Sequence, residues 1–392
     1  MKFAVSLVCL ISATLAACGA LPTAGPTAGQ IMDQAAQEGR QRFDIVKVDA
    51  QVISALLSVP QESFQTRFRS YGKPSEPTIG IGDSVAVSIW EAAAGGLFGA
   101  QPTEAVPTAT TTGGASRPVT IPDQVVDRDG GISVPYAGRV PVAGHTPLQV
   151  QHAIEQRLAG KAIEPQVIVT VTKSVTNTAT VTGEVVTGAR VPLSVGGDRL
   201  LDLIAAAGGA KSAVYDTFVR LSRGGVTATI PMETLVANPA ENIYAWPGDV
   251  LTLVRTPRTF SVFGATGNNN QLTFEAGKMN LAEAVAKAGG LQDQRADPSG
   301  VFLFRFEPRN VVTALGTNNL ATGPGGSTPI VYHLDFREAD NYFFAERFPL
   351  EDKDLIYVSN AKLSDVQKFF TLLNTLTGPV VTGIVVNRSI NQ

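Results

Sequence analysis

Cysteine is nearly missing from this chain: of 392 residues only Cys9 and Cys18 are cysteine, both near the N-terminus. That excludes a disulfide framework or a cysteine zinc site downstream. Histidine is almost as scarce, and none of His145, His152 and His333 has an aspartate three residues before it. An esterase reading of Gly82-Asp83-Ser84, with Ser84 as nucleophile, therefore lacks its base. His145 and His152 lack a partner at ligand spacing and are read as solvated or partly packed. There is no basic excess: 31 Lys and Arg stand against 34 Asp and Glu, a net charge of −3, which speaks against nucleic acid as a partner. No Gly-Lys-Ser/Thr phosphate loop occurs. Gly80-x-Gly82 lacks a third glycine and precedes a strand, so dinucleotide binding fails its structural requirement. Glu184 and Asp202 are candidates for a glycosidase pair that nothing in the sequence brings together, and the repeated Asp202/Glu283 position reads as a solvated helix face. The expectation is a protein that is not an enzyme and needs no cofactor and no metal.

What the chain does contain is a unit of about eighty residues that occurs twice. The first copy opens at Thr178-Ala179-Thr180-Val181-Thr182-Gly183 and closes at Trp246-Pro247-Gly248-Asp249-Val250-Leu251. The second opens at Thr259-Phe260-Ser261-Val262-Phe263-Gly264 and closes at Asp352-Lys353-Asp354-Leu355-Ile356-Tyr357-Val358. Each holds a short apolar-striped helix ended by Gly-Gly, at Gly208-Gly209 and Gly289-Gly290. Glycine ends a helix cheaply because the residue beyond it often needs positive φ. A strand follows each helix, Thr217 to Leu221 and Val301 to Phe306, so that a helix lies on a small mixed sheet. The unit resembles the SLBB, or soluble ligand-binding β-grasp, domain.

The N-terminus accounts for both cysteines. Lys2 precedes a short apolar run, Phe3 to Leu15, that ends in Leu15-Ala16-Ala17-Cys18 and resembles a bacterial lipobox. Residues 1–17 then form a signal peptide, Cys18 is the lipidation site, and 18–39 is a lipidated tether. A first globular segment covers 40–177. In it Phe43 to Val48 alternates as a strand, and a Gly82-Asp83 turn precedes a strand facing Val85, Val87 and Ile89 inward. Residues 92–124, rich in Ala, Gly, Pro and Thr, read as a mobile insertion. Asp129-Gly130-Gly131 reads as a hairpin turn. Thr146-Pro147 starts a helix with Leu148, Val150, Ile154 and Leu158 inward, stopped by Gly160.

The Gly82-Asp83 strand, Ile89-Trp90-Glu91 with Leu97-Phe98-Gly99, the Asp129 to Pro135 hairpin and two SLBB-like units follow one another in an order similar to that of the outer-membrane polysaccharide export (OPX, Wza-like) lipoprotein family. The Trp-Glu and Leu-Phe-Gly details resemble its ABC-transporter-dependent capsule branch. The resemblance implies an α+β fold: a polysaccharide-export domain (40–177), SLBB-like domains at 178–259 and 260–361, the latter with an insertion at 308–329, and a C-terminal membrane-spanning helix. It further implies a ring-shaped, octameric homo-oligomer, lipid-anchored in the outer membrane with its body in the periplasm. The ring would pass a capsular or other extracellular polysaccharide, aided by an inner-membrane copolymerase and an ABC-type exporter. The alternative is a monomeric periplasmic lipoprotein that binds glycan or another ligand through its SLBB units.

Residues 362–392 fit that C-terminal helix. On a helical wheel Val366, Phe369, Phe370, Leu373, Leu376, Val380, Val381 and Ile384 share one face, the membrane-facing one. Asp365, Lys368, Thr371, Asn374, Thr375 and Thr382 share the other, of which the last five would face a pore. Gly378-Pro379 interrupts the stretch and leaves open whether the helix is single or broken. Among aromatic residues, Trp90, Tyr136, Trp246, Phe302, Phe304 and Phe306 are candidates for stacking on sugar rings, against the plainer reading of core or interface.

Overall fold

The computed structural model describes residues 25–36, 43–59, 62–69, 71–91, 97–98, 119–317 and 323–361. The chain divides into two units, one of residues 62–256 and one combining the chain up to 61 with the chain from 257 onward. Cys18 and the expected C-terminal helix lie outside the described residues, and among those described no helix is long and apolar enough to cross a membrane.

In chain order, helix α1 (Ala28–Ala36), strand β1 (Asp44–Lys47) and helix α2 (Ala50–Ser58) come first. The strand expected at 43–48 is thus present, but its partner is distant. β1 pairs in parallel with a strand of the second repeat, Asp44 opposite Ile330 and Lys47 opposite His333. It belongs with that repeat and not with the export domain, which sequence order alone suggested. The side chain of Asp49 caps α2 by accepting from Val52 N at 2.8 Å.

The 62–256 unit begins with a single turn of helix, α3 (Phe64–Arg67), whose Phe64, with the following Phe68, lies buried in the core of the first repeat. An antiparallel sheet follows: β2 (Ser84–Trp90) between β3 (Val119–Val125) and β6 (Gln166–Lys173). β2 alternates as expected, with Val85, Val87 and Ile89 buried. The segment read as insertion is therefore shorter than 92–124, since Val119 onward is strand. Between β3 and β6 lie β4 (Gly131–Val134) and β5 (Gly138–Pro141), a two-stranded hairpin, and helix α4 (Pro147–Leu158). Asp129-Gly130-Gly131 does make a turn, but the hairpin closes at Pro135-Tyr136-Ala137, where Tyr136 takes φ 63°. α4 starts in a capping box between Thr146 and Gln149 and buries Val150, Ile154 and Leu158. Leu148, expected inward, is exposed, because it lies on the solvent side of the turn after the cap.

The first repeat then builds a five-stranded sheet from β7 (Thr178–Gly183), β8 (Ala189–Pro192), β9 (Thr217–Arg223), β10 (Val226–Pro231) and β11 (Val250–Arg255) in the order β10-β9-β11-β7-β8. Helices α5 (Leu200–Ala206) and α6 (Met232–Ala237) bury Leu200, Leu203, Ile204, Met232 and Leu235 in its core. The second repeat copies this with β12 (Thr259–Gly264), β13 (Asn270–Thr273), α7 (Leu281–Lys287), β14 (Ala296–Glu307), α8 (Arg309–Ala314), β15 (Thr328–Leu334), α9 (Asp340–Arg347) and β16 (Leu355–Asn360). Its sheet has six strands in the order β1-β15-β14-β16-β12-β13. The insertion expected at 308–329 thus contains a helix and the first residues of β15.

The repeats share their backbone devices. In each, the opening strand runs parallel to the closing strand, Gly183 opposite Leu253 and Gly264 opposite Val358. Both glycines take positive φ, 88° and 97°, and a Cβ on either would collide with the carbonyl of its strand partner. Only glycine fits such a position. Asp202 and Glu283 are exposed, as read from the sequence, and also accept from the backbone N–H at the start of their own helices, Arg199 at 2.8 Å and Asn280 at 3.0 Å. They are helix-start devices, repeated because the helix is repeated.

Candidate functional site

Three aspartates, each just before a strand, are buried, and each carboxylate gathers donors. Asp83 accepts from Gly80 N (2.8 Å), Val175 N (2.7 Å), Thr176 N (3.2 Å), Ser174 Oγ (3.2 Å) and Thr176 Oγ1 (2.9 Å). Burial alone would raise its pKa, but the donors from Gly80, Val175 and Thr176 outweigh burial and hold the carboxyl below the usual range. It ties the start of β2 to the chain entering the first repeat. The sequence shows the Gly82-Asp83 turn but not these distant donors.

In the repeats the donor is an arginine. Arg223 holds Asp249 through Nε at 2.9 Å and Nη2 at 2.6 Å, and Arg305 holds Asp354 through Nε at 2.7 Å and Nη2 at 2.6 Å. Each arginine also donates to a backbone carbonyl, Tyr244 and Pro349 respectively, and each aspartate accepts from the N–H three residues before it. The forked guanidinium meets both carboxylate oxygens in one plane, which lysine cannot do. Neither arginine was singled out from the sequence. Their common place, two residues after the aligned leucines Leu221 and Leu303, is the signal that would have found them.

Beside the second pair lies a further buried acid. Glu307 accepts from the Tyr332 hydroxyl at 2.7 Å, while its other oxygen is buried without a partner. Burial pushes the Glu307 carboxyl up, against the opposing influence of Arg305 and the Tyr332 hydroxyl. These groups form a structural knot: Arg305, Glu307 and Asp354 are buried and bonded to one another and to Tyr332, and Arg305 and Asp354 also reach the wall of a neighbouring groove.

The outward sheet faces are where the repeats part company. In the first repeat Thr252 lies between Arg220 and Thr182, and Val250 lies opposite Ser222. In the second, the same positions place Tyr357 between Phe302 and Phe263, and Leu355 opposite Phe304. One face is threonine, serine and arginine; the other is aromatic. Helix α1 covers part of the aromatic face, with Ile31, Phe302, Val331 and Tyr357 buried together, and Pro26 O accepts from the Tyr357 hydroxyl at 2.8 Å. The rest stays open as a mostly apolar groove of about 660 Å³, lined by Pro26, Phe43, Phe263, Phe304, Phe306, Pro329 and Leu355 together with the charged Arg305, Glu351, Asp352, Lys353 and Asp354. Phe263 is 47% and Phe306 58% exposed. This groove is the strongest candidate for a surface that meets another molecule.

Other residues singled out from the sequence fall apart in space. Ser84 is a strand residue with no histidine bonded to it. His145 and His152 are exposed, bonded to Ala143 O and Glu155, and His333 stacks on Phe302 with its Nε2 on Ser299 O. Among the described residues no three acids, histidines or cysteines converge as a metal site would require. Glu184 accepts from Ser212 Oγ, and Asp202 serves its helix. Of the six aromatics, Phe302 is core, Trp90, Trp246 and Phe304 are half-buried, and only Tyr136 and Phe306 are well exposed. The residues expected to face the membrane, to face a pore and to carry lipid lie outside the described residues.

Comparison with known proteins bears on the whole chain. Residues 72–172 match the family described as Polysaccharide biosynthesis/export protein, and residues 178–231 and 258–358 each match an SLBB domain. Over 390 residues the chain is 37% identical to the capsule polysaccharide export outer membrane protein CtrA of Neisseria meningitidis serogroup A, covering 98% of this chain and 97% of that one. It is 36% identical over 379 residues to the capsule polysaccharide export protein BexD of Haemophilus influenzae, covering 94% of each. The Vi polysaccharide export protein VexA/TviF of Salmonella typhi is 30% identical over 239 residues, 60% of this chain and 64% of that one. Repeat architecture, export-domain match and near full-length similarity agree, and the chain belongs to the family of capsule polysaccharide export outer membrane proteins.

Proposed function

We propose that the protein carries a capsular or other extracellular polysaccharide across the outer membrane as an oligomeric channel anchored by lipid at Cys18. The observation that carries this reading is similarity to two capsule export proteins over 94% or more of the chain. Residues 362–392 supply the membrane segment, one helix per subunit, with Val366, Phe369, Phe370, Leu373, Leu376, Val380 and Ile384 toward lipid and Lys368, Thr371, Asn374, Thr375 and Thr382 toward the lumen. A lone helix of that composition would expose polar side chains to lipid, whereas a ring turns them to water. The sequence contains no phosphate-binding loop, so an inner-membrane ABC-type exporter supplies energy and a copolymerase links the two membranes.

Deletion of the gene should abolish surface polysaccharide, leave polymer trapped inside the cell, and be reversed by the wild-type copy. Unchanged surface polymer in the deletion strain would sink the proposal. Cysteines placed at Asn374 and Thr382 should react with a membrane-impermeant thiol reagent, and those at Phe370 and Leu373 should not.

A further inference from the structure

The second repeat carries two exposed apolar features that the first lacks, and they stand on opposite sides of it. One is the aromatic groove on the outward face of the sheet, where Phe263 and Phe306 lie open. The other is on α9, in the helical layer packed on the inward face, where Phe344, Ala345 and Phe348 enter the core. That packing leaves Tyr342 58% and Phe343 66% exposed, side by side on one short helix. Leu57, on the neighbouring α2, is exposed to a similar degree. The corresponding helix of the first repeat, α6, has no aromatic residue, and the corresponding sheet face has Thr182, Ser222 and Thr252. A groove and an aromatic knob have thus been added to the same repeat, back and front.

We infer that the groove is filled by α9 of a second copy of this chain, with Phe343 and Tyr342 inserted between Phe263, Phe304, Phe306 and Leu355. The occupant follows from the shapes: a concave, mostly apolar face of about 660 Å³ has room for two aromatic side chains, and this chain presents two on its own opposite side, Phe343 66% exposed and Tyr342 58% exposed with one edge against Phe336. A contact that joins the back of one copy to the front of the next is heterologous. It cannot close as a two-fold dimer; it repeats in one direction and closes as a ring, or else runs on as a filament. The inference rests on the oligomeric part of the function proposed above and names the surface that builds it.

The test uses the full-length protein in detergent, carrying Phe306→Cys and Phe343→Cys together or singly, treated with a short bis-maleimide beside the wild type. The double variant should give a ladder of covalent dimers, trimers and higher species, with each single variant and the wild type at a tenth of that yield or less. Phe343→Asp should raise the concentration for half-assembly at least tenfold with an unchanged circular dichroism spectrum, because an aromatic side chain loses its apolar cover. Tyr136→Asp, at an exposed aromatic outside this repeat, should leave assembly alone. An oligomer by light scattering that gives no ladder overturns the inference while leaving the oligomeric reading standing. A wild type that is monomeric at every concentration overturns both. Dimers from Phe343→Cys alone would mean a two-fold contact and overturn it. So would a bridge within one chain between Phe306→Cys and Leu21→Cys, which would show the groove filled by the protein's own N-terminal segment.

Discussion

At the scale of single residues, the repeats are held by groups whose neighbours are far away in sequence, and two predictions follow their chemistry. Glu307 is buried with one oxygen unsatisfied, so the folded state favours its protonated form. Its pKa is raised on folding above the ordinary value of 4.5. The folded state therefore binds the proton more tightly, and the stabilisation is fully present below the unfolded pKa and is lost as pH rises through the folded pKa. The protection of peptides covering 296–307 and 328–334, taken relative to the intrinsic base-catalysed exchange rate at each pH, should fall over that rise in the wild type. In Glu307→Gln, which keeps the shape without the charge, the protection should stay flat. Asp83 behaves in the opposite sense: its carboxylate is stabilised, so its contribution is present above the ordinary value of 3.8 and is lost as pH falls through its lowered pKa. The second prediction concerns the paired arginines. Asp249→Ala leaves the guanidinium of Arg223 in a nearly buried place without its carboxylate, which costs about 3–5 kcal/mol. Proteolysis should then open the first repeat well before the second, and Asp354→Ala should reverse the order.

At the scale of elements, the sequence shows what is local and hides what is long-range. The helix at 147–158, its Thr146 cap and its Gly160 stop were legible because a cap, a Pro at the first position and a 3.6-residue stripe all lie within fifteen residues. The repeat was legible because a strand ending in glycine and a helix ending in Gly-Gly recur at fixed spacing. The partner of β1 was not, since nothing in Asp44-Ile45-Val46-Lys47 names a strand almost three hundred residues away. The aromatic groove was half legible: Phe302, Phe304 and Phe306 stood out, but alternation alone did not show which neighbours would cover Phe302 and leave Phe306 bare. Capping gives an element-scale prediction. Asn280 accepts from Glu283 N at 2.8 Å, so Asn280→Ala should destabilise the second repeat by about 1 kcal/mol, read as faster hydrogen exchange over 281–290. Gly264→Ala acts more strongly, because the added methyl meets the carbonyl of Val358 and forces the opening strand off the closing one. Its product should be depleted in folded protein at 37 °C.

At the scale of the whole molecule, the export reading separates body from membrane segment. A chain ended after Ala361 keeps every described sheet and core of both units. It should be secreted as a folded periplasmic protein with the wild-type proteolysis pattern for residues 25–361, and it should restore no surface polysaccharide to a deletion strain. Restored polymer would mean that the conduit is not built from 362–392. The pairing of β1 with β15 also sets an order in time. Asp44 has no strand to join until Ile330 has been made, while residues 62–256 already hold a complete core. The middle of the chain is therefore expected to fold first, and the late pairing must overcome the closure entropy of the long loop between its strands. During that interval the backbone of β1 (Asp44–Lys47) is an unpaired strand edge. Loss of a chaperone with affinity for extended strands should therefore lower the yield of the second repeat far more than that of the first.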